Sequence, residues 1–146
     1  MICSIINYSN ICYEKSLRVR EAFKTRWLAR FARRENIDDK SLCDAIDRAD
    51  RGLIDADLGS GLIKQRVARR GKGRSGGYRM IVAYRRQGRA VFLYAFAKSE
   101  RANISPDELE DLREVGAMWL AASAKQIAVE LREGTLEEIV YEDKET

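Results

Sequence analysis

The spacing of hydrophobic positions changes along this chain, and the changes divide it. Phe23, Trp27, Leu28 and Phe31 fall at i, i+4, i+5 and i+8, the apolar stripe of a helix whose other face carries Lys24, Arg26, Arg30, Arg33 and Arg34. That helix is predicted to end near Glu35. Asp38 or Asp39 can cap a second helix with Leu42, Ala45, Ile46 and Ala49 inward and Gly52 just past its end, so the two read as an antiparallel hairpin. From Leu62 the period drops to two. Leu62–Arg69 alternates, a glycine-rich run at 71–77 punctuates, 78–85 alternates again, and Gln87-Gly88 turns into 90–98, which predicts three adjacent antiparallel strands. In the second of these Tyr78, Met80, Val82 and Tyr84 share one face and Arg79, Ile81, Ala83 and Arg85 the other. One sheet face is therefore expected to be packed and the other partly cationic.

Ser105-Pro106-Asp107-Glu108 is a capping box with proline at the first helical position, opening a helix with Leu109, Leu112, Val115, Trp119 and Leu120 inward. Ser123-Ala124-Lys125-Gln126 restarts a shorter helix that runs to Gly134, and 136–141 reads as extended. The order predicts a single α+β domain over 20–141, an N-terminal helical hairpin and a C-terminal helix packed on one face of a small antiparallel sheet. Residues 1–19 show no sustained period and read as a poorly ordered or accessory leader, and 142–146 as a charged tail.

Composition narrows the chemistry. With 146 residues and one proline, the chain is long enough for one core and too short for a second independent domain. No apolar run approaches the roughly 20 residues of a membrane helix, and Met1-Ile2-Cys3-Ser4-Ile5-Ile6 lacks the regions of a signal peptide, so a cytoplasmic protein with no membrane partner is expected. Cys3, Cys12 and Cys43 fit neither a disulfide framework nor a zinc knuckle. The chain has no histidine, which excludes a Ser-His-Asp triad and removes the commonest metal ligand. No metal or cofactor is expected.

Charge is unevenly distributed. Residues 1–101 carry 23 Lys/Arg against 11 Asp/Glu, 102–146 carry 4 against 12, and 58–99 hold 11 cations and no acid. Such a field attracts polyanions. Lys64, Arg66, Arg69, Lys72, Arg74, Arg79 and Arg85 cluster on and between the first two predicted strands among glycines that let a backbone approach phosphate closely. The pattern lacks the GxxxxGK[ST] of a P-loop and lies between strands, which disfavours nucleotide hydrolysis. Tyr78, Tyr84, Phe92, Tyr94 and Phe96 accompany the cations, and cations interleaved with aromatic rings suit single-stranded nucleic acid. Lys98 and Arg101 lie where the third strand emerges.

These residues resemble the RelE/ParE superfamily of toxins from type II toxin–antitoxin systems, in particular its phage-associated HigB-like branch. The resemblance spans roughly Phe23 to Leu120. It rests on Phe23-Lys24-Thr25-Arg26-Trp27, Gly52-Leu53-Ile54-Asp55-Ala56-Asp57-Leu58-Gly59, the strand from Leu62 to Arg69, Ser75-Gly76-Gly77-Tyr78-Arg79, and the run from Phe96 through Lys98 and Arg101 to Ile104. It implies a microbial RNase-like fold, cleavage of mRNA on the ribosome, and an antitoxin partner of the helix-turn-helix kind.

Metal-independent cleavage of this type is attack of a ribose 2′-hydroxyl on the adjacent phosphorus, which needs a base, a cationic clamp and an acid. Without histidine the base would be a lysine or tyrosine held deprotonated by neighbouring cations. Lys64 beside Arg66 and Arg69 is the first candidate and Lys98 the second. Arg66, Arg79 and Arg101 are candidates for the clamp, and Tyr78 or Tyr94 for the acid or a stacking platform. Arg69, Lys72, Arg74, Tyr78, Arg85 and Tyr94 would contact the nucleic acid. Two other readings are a ParE-like inhibitor of DNA gyrase that cuts nothing and a single-stranded nucleic-acid-binding module.

Overall fold

A computed structural model describes residues 21–69 and 73–141, with the side chains of 69 and 73–75 outside that description. The chain runs β1 (Glu21–Thr25), α1 (Arg26–Glu35), α2 (Asp39–Asp50), β2 (Ala56–Gly59), β3 (Leu62–Arg69), β4 (Gly73–Tyr84), β5 (Arg89–Ala97), α3 (Pro106–Ala121), α4 (Ala124–Glu133) and β6 (Leu136–Glu138). The leader at 1–19, Lys72 and the tail at 142–146 lie outside the described residues.

The first helix starts later than its apolar stripe suggests. Thr25 is extended (φ −70°, ψ 164°) and its hydroxyl accepts from the Leu28 amide at 3.2 Å, which caps α1. Phe23 and Lys24 therefore belong to a strand, with Ala22 and Phe23 facing opposite sides of the sheet. At the next boundary Asp38, and not Asp39, is the cap of α2, accepting from the Ser41 amide at 3.0 Å. The expected hairpin is instead two helices seated separately on the sheet, α1 against β1 and β5 and α2 against β3.

The sheet has six strands where three were expected, in the order β2-β3-β4-β5-β1-β6. All neighbours are antiparallel except β1 and β5, which pair in parallel from Glu21↔Arg89 to Lys24↔Phe92. β4 reaches back through the glycine run to Gly73, which pairs with Arg69, so residues expected to punctuate the strands are part of one.

Helices cover both faces, not one. Leu28, Phe31, Leu42 and Ile46 of α1 and α2 pack with Ile63, Val67, Tyr78, Met80, Val82 and Phe92. On the opposite face Trp119 of α3 and Ile127 of α4 pack with Phe23, Leu62, Ile81, Ala83, Val91 and Leu93. β4 and β5 are apolar on both sides for much of their length, and each side needs its own cover. α3 comes close enough to the sheet that a Cβ on Gly116 would stand 2.8 Å from Leu62 Cδ2 and 3.3 Å from the Ala83 Cβ. Its other end is fixed by the capping box, with the Glu108 amide donating to Ser105 Oγ at 3.2 Å and the Ser105 amide to Glu108 Oε1 at 2.9 Å.

Candidate nucleic-acid interface

The face under α3 and α4 is apolar at one end and cationic at the other. Gly116, Trp119 and Leu120 cover the end that holds Leu62, Ala83 and Leu93. Towards the other end, register and the two-residue period put Arg66, Arg79 and Phe96 in one row across β3, β4 and β5, and Lys64, Ile81 and Tyr94 in the next. Each row spans about 10 Å, two interstrand spacings.

Arg66 is exposed, whereas Arg79 is only 8% exposed. Arg79 Nη1 is buried with no hydrogen-bond partner among the described residues, and neither arginine has an ion pair there. A buried guanidinium opposite a second cation is costly. A buried polar atom without a hydrogen bond costs about 1–3 kcal/mol, and like charges directly opposite on a sheet repel. An anion between the two would relieve both terms, and arginine forks match phosphate oxygens in pairs.

Aromatic rings border the cations. The Trp27 ring, 43% exposed, stacks between Phe31 at 5.4 Å and Tyr94 at 4.7 Å, and Tyr94 is tilted against Phe96 at 6.3 Å. Arg101 lies over the Phe96 ring at 5.8 Å and donates from Nη1 to Tyr94 Oη at 3.3 Å. Its guanidinium also holds Glu108 in a bidentate pair at 2.6 and 3.2 Å. Chiefly through that pair, and then through the Ser105 amide, the Glu108 carboxyl is pulled down from 4.5 to about 2. The same pair raises Arg101. Arg101 thus ties the start of α3 to the Tyr94 hydroxyl.

Five predicted residues converge: Arg66, Arg79, Lys64, Tyr94 and Arg101. Lys98 is exposed in the turn that follows β5. Tyr78 is on the opposite face, 2% exposed, with its ring edge-on to Phe31 and its hydroxyl donating to Glu35 Oε1 at 2.6 Å. Arg85 lies about 20 Å along β4 from Arg79, where its Nη2 donates to the Leu120 carbonyl at 2.7 Å. The side chains of Arg69 and Arg74, and all of Lys72, are outside the described residues.

Sequence reasoning gave no site role to Trp27, which periodicity assigned to the helix core. It also gave none to Asp55, although the motif that contains it stood out. Only the parallel pairing of β1 with β5 carries α1 to the edge of Tyr94.

A sheet face with opposed arginines and bordering aromatic rings has the chemistry of a surface for anionic groups. The family model of the RelE toxin of RelE/RelB toxin–antitoxin systems matches residues 20–139, and the chain belongs to that family of toxins. Membership implies a cognate antitoxin as partner. No curated protein and no solved structure matches the chain. Among the described residues no helix is long and apolar enough to cross a membrane.

Proposed function

We propose that this toxin is a cytoplasmic, metal-independent endoribonuclease of the HigB-like branch that cleaves mRNA on the ribosome. The observation that carries the reading is Arg79, 8% exposed with Nη1 buried and unpartnered, directly opposite Arg66, with neither side chain in an ion pair among the described residues. A cation buried at such cost is accounted for by an anionic ligand that completes it.

In this reading the 2′-oxygen attacks phosphorus, a P–O bond forms, and the bond to the 5′-oxygen of the next nucleotide breaks. Arg66 and Arg79 hold the non-bridging oxygens and stabilise the charge that grows on them in the phosphorane. Lys64, one row away on the same face, takes the 2′ proton, with Lys98 the second candidate for that role. Tyr94 gives its proton to the leaving 5′-oxygen. Arg101 donates to the Tyr94 oxygen, which leaves the phenolic hydrogen directed elsewhere. The antitoxin, expected to carry a helix-turn-helix domain, would neutralise the toxin by covering this face with acidic side chains.

Induction in growing bacteria with parallel pulse-labelling of protein and DNA synthesis tests the proposal. Prompt loss of protein synthesis with new mRNA ends is expected. Early loss of DNA synthesis would instead indicate a gyrase inhibitor, and absence of arrest a binding module. An Arg79→Ala variant that is folded by circular dichroism and still fully toxic would remove the central residue of the proposal.

A further inference from the structure

The ladder beside Arg66 lacks a strand, and side chains stand in its place. β2 begins at Ala56, which pairs with Lys64. The next residue of β3 whose backbone points to that edge is Arg66. Its amide donates to Asp55 Oδ2 at 2.6 Å and its carbonyl accepts from Arg48 Nη2. Asp55 is itself held, because its amide donates to Gln65 Oε1 at 2.9 Å. Gln65, 1% exposed on the opposite face of β3, donates from Nε2 to the carbonyls of Ala45 at 2.9 Å and Leu53 at 3.2 Å.

This wiring affects the site directly. With both backbone groups of Arg66 engaged away from β4, Arg66 and Arg79 form the non-hydrogen-bonded kind of antiparallel pair, whose Cα atoms approach to about 4.5 Å. Two cationic side chains thus leave the sheet from its closest cross-strand position. A strand edge with unsatisfied backbone groups would yield to that repulsion by fraying.

We infer that Asp55 is a positioning residue, whose carboxylate holds the Arg66 backbone in place so that Arg66 and Arg79 present one fixed pair of forks to a single phosphate group. The inference rests on the nuclease reading for the identity of the ligand, and on the geometry alone for the tether.

The test combines two measurements on the full chain. Amide hydrogen exchange reads the tether: in Asp55→Ala the Arg66 amide should exchange at least about tenfold faster, and in Asp55→Asn, which keeps an acceptor oxygen, it should remain protected. Binding of a 2′-O-methylated single-stranded RNA of about ten nucleotides reads the consequence. Asp55→Ala should weaken binding about tenfold, flatten its salt dependence by about one phosphate contact, and have no further effect in an Arg66→Ala background. If the losses from Asp55→Ala and Arg66→Ala multiply, or if the Arg66 amide is unmoved, Asp55 is only part of the scaffold and the inference is wrong. A wild-type protein that does not bind the RNA would overturn the nuclease reading, and the inference with it. Should Asp55→Ala not fold, Asp55→Glu carries the same cycle, since the charge is kept and the acceptor displaced by one methylene.

Discussion

Replacing Arg79 with methionine should make the protein more stable and abolish its activity. Methionine keeps most of the aliphatic length of the side chain and removes a charge that is 8% exposed, with Nη1 unpartnered among the described residues. A buried polar atom without a hydrogen bond costs about 1–3 kcal/mol, and relief of the repulsion from Arg66 directly opposite adds about 0.2–1 kcal/mol. The expected gain is about 1–4 kcal/mol, read as a rise in Tm of roughly 3–5 °C per kcal/mol for a domain of this size. Urea or thermal unfolding with and without a single-stranded oligonucleotide separates the two sides of the argument. At a hundredfold excess over Kd the ligand should stabilise the wild type by about 2.7 kcal/mol and leave the variant unchanged. A variant destabilised by more than about 1 kcal/mol without ligand would mean that the protein itself satisfies Arg79, and the reasoning from an uncompensated charge would fail.

Tyr94→Phe keeps the ring against Trp27 and removes only the hydroxyl, so cleavage should fall by about 10²–10⁴-fold with oligonucleotide affinity unchanged; equal losses in both would assign Tyr94 to binding. Arg85→Ala should leave growth arrest intact, because Arg85 lies at the far end of β4 bonded to the Leu120 carbonyl, and a non-toxic variant would extend the site to that end. Gly116→Ala should destabilise by about 1–3 kcal/mol in urea titration, because the Cβ contact at 2.8 Å with Leu62 outweighs the roughly 1 kcal/mol gain in helix propensity. Glu108 titrates lower in the folded chain than its ordinary 4.5, so its contribution is complete above about pH 4.5 and is lost as pH falls towards 2. The stability difference between wild type and Glu108→Gln should shrink across that window, and a constant difference would mean that the Arg101 pair does not set it.

The sequence disclosed the parts of the fold that depend on near neighbours. The alternation of β3 and the Ser105 capping box are local, and each was legible. Phe23 was misread because it stands four residues before Trp27, a spacing that fits a helix, whereas its strand is fixed by β5 and β6, both distant in sequence. The capping hydroxyl of Thr25 was the available signal. The glycines of β4 read as a break because glycine weakens an isolated strand, yet pairing with β3 carries the strand through them. Among the site residues, Arg66 and Arg79 were legible as cations on strands. Their position directly opposite each other was not, since it follows from the register in which β3 and β4 pair. Tyr78 and Arg79 are neighbours in sequence, and the pleat sends them to opposite faces. Asp55 gave no local sign of a role, because it acts on a backbone eleven residues away.

The position of β1 between β5 and β6 also bears on how the protein is made. β3, β4 and β5 form a meander whose pairings are short in sequence, and such pairings close early at little cost in chain entropy. The last two pairings join β1 to β5 and to β6, across most of the described chain, and close late. The arginine pair therefore rests on short-range pairings, whereas the Trp27 stack rests on the pairing of β1 with β5, whose partners Glu21 and Arg89 are 68 residues apart. Tyr94 and Phe96 come with the meander itself, so within the aromatic border it is the Trp27 stack that waits on a long-range pairing.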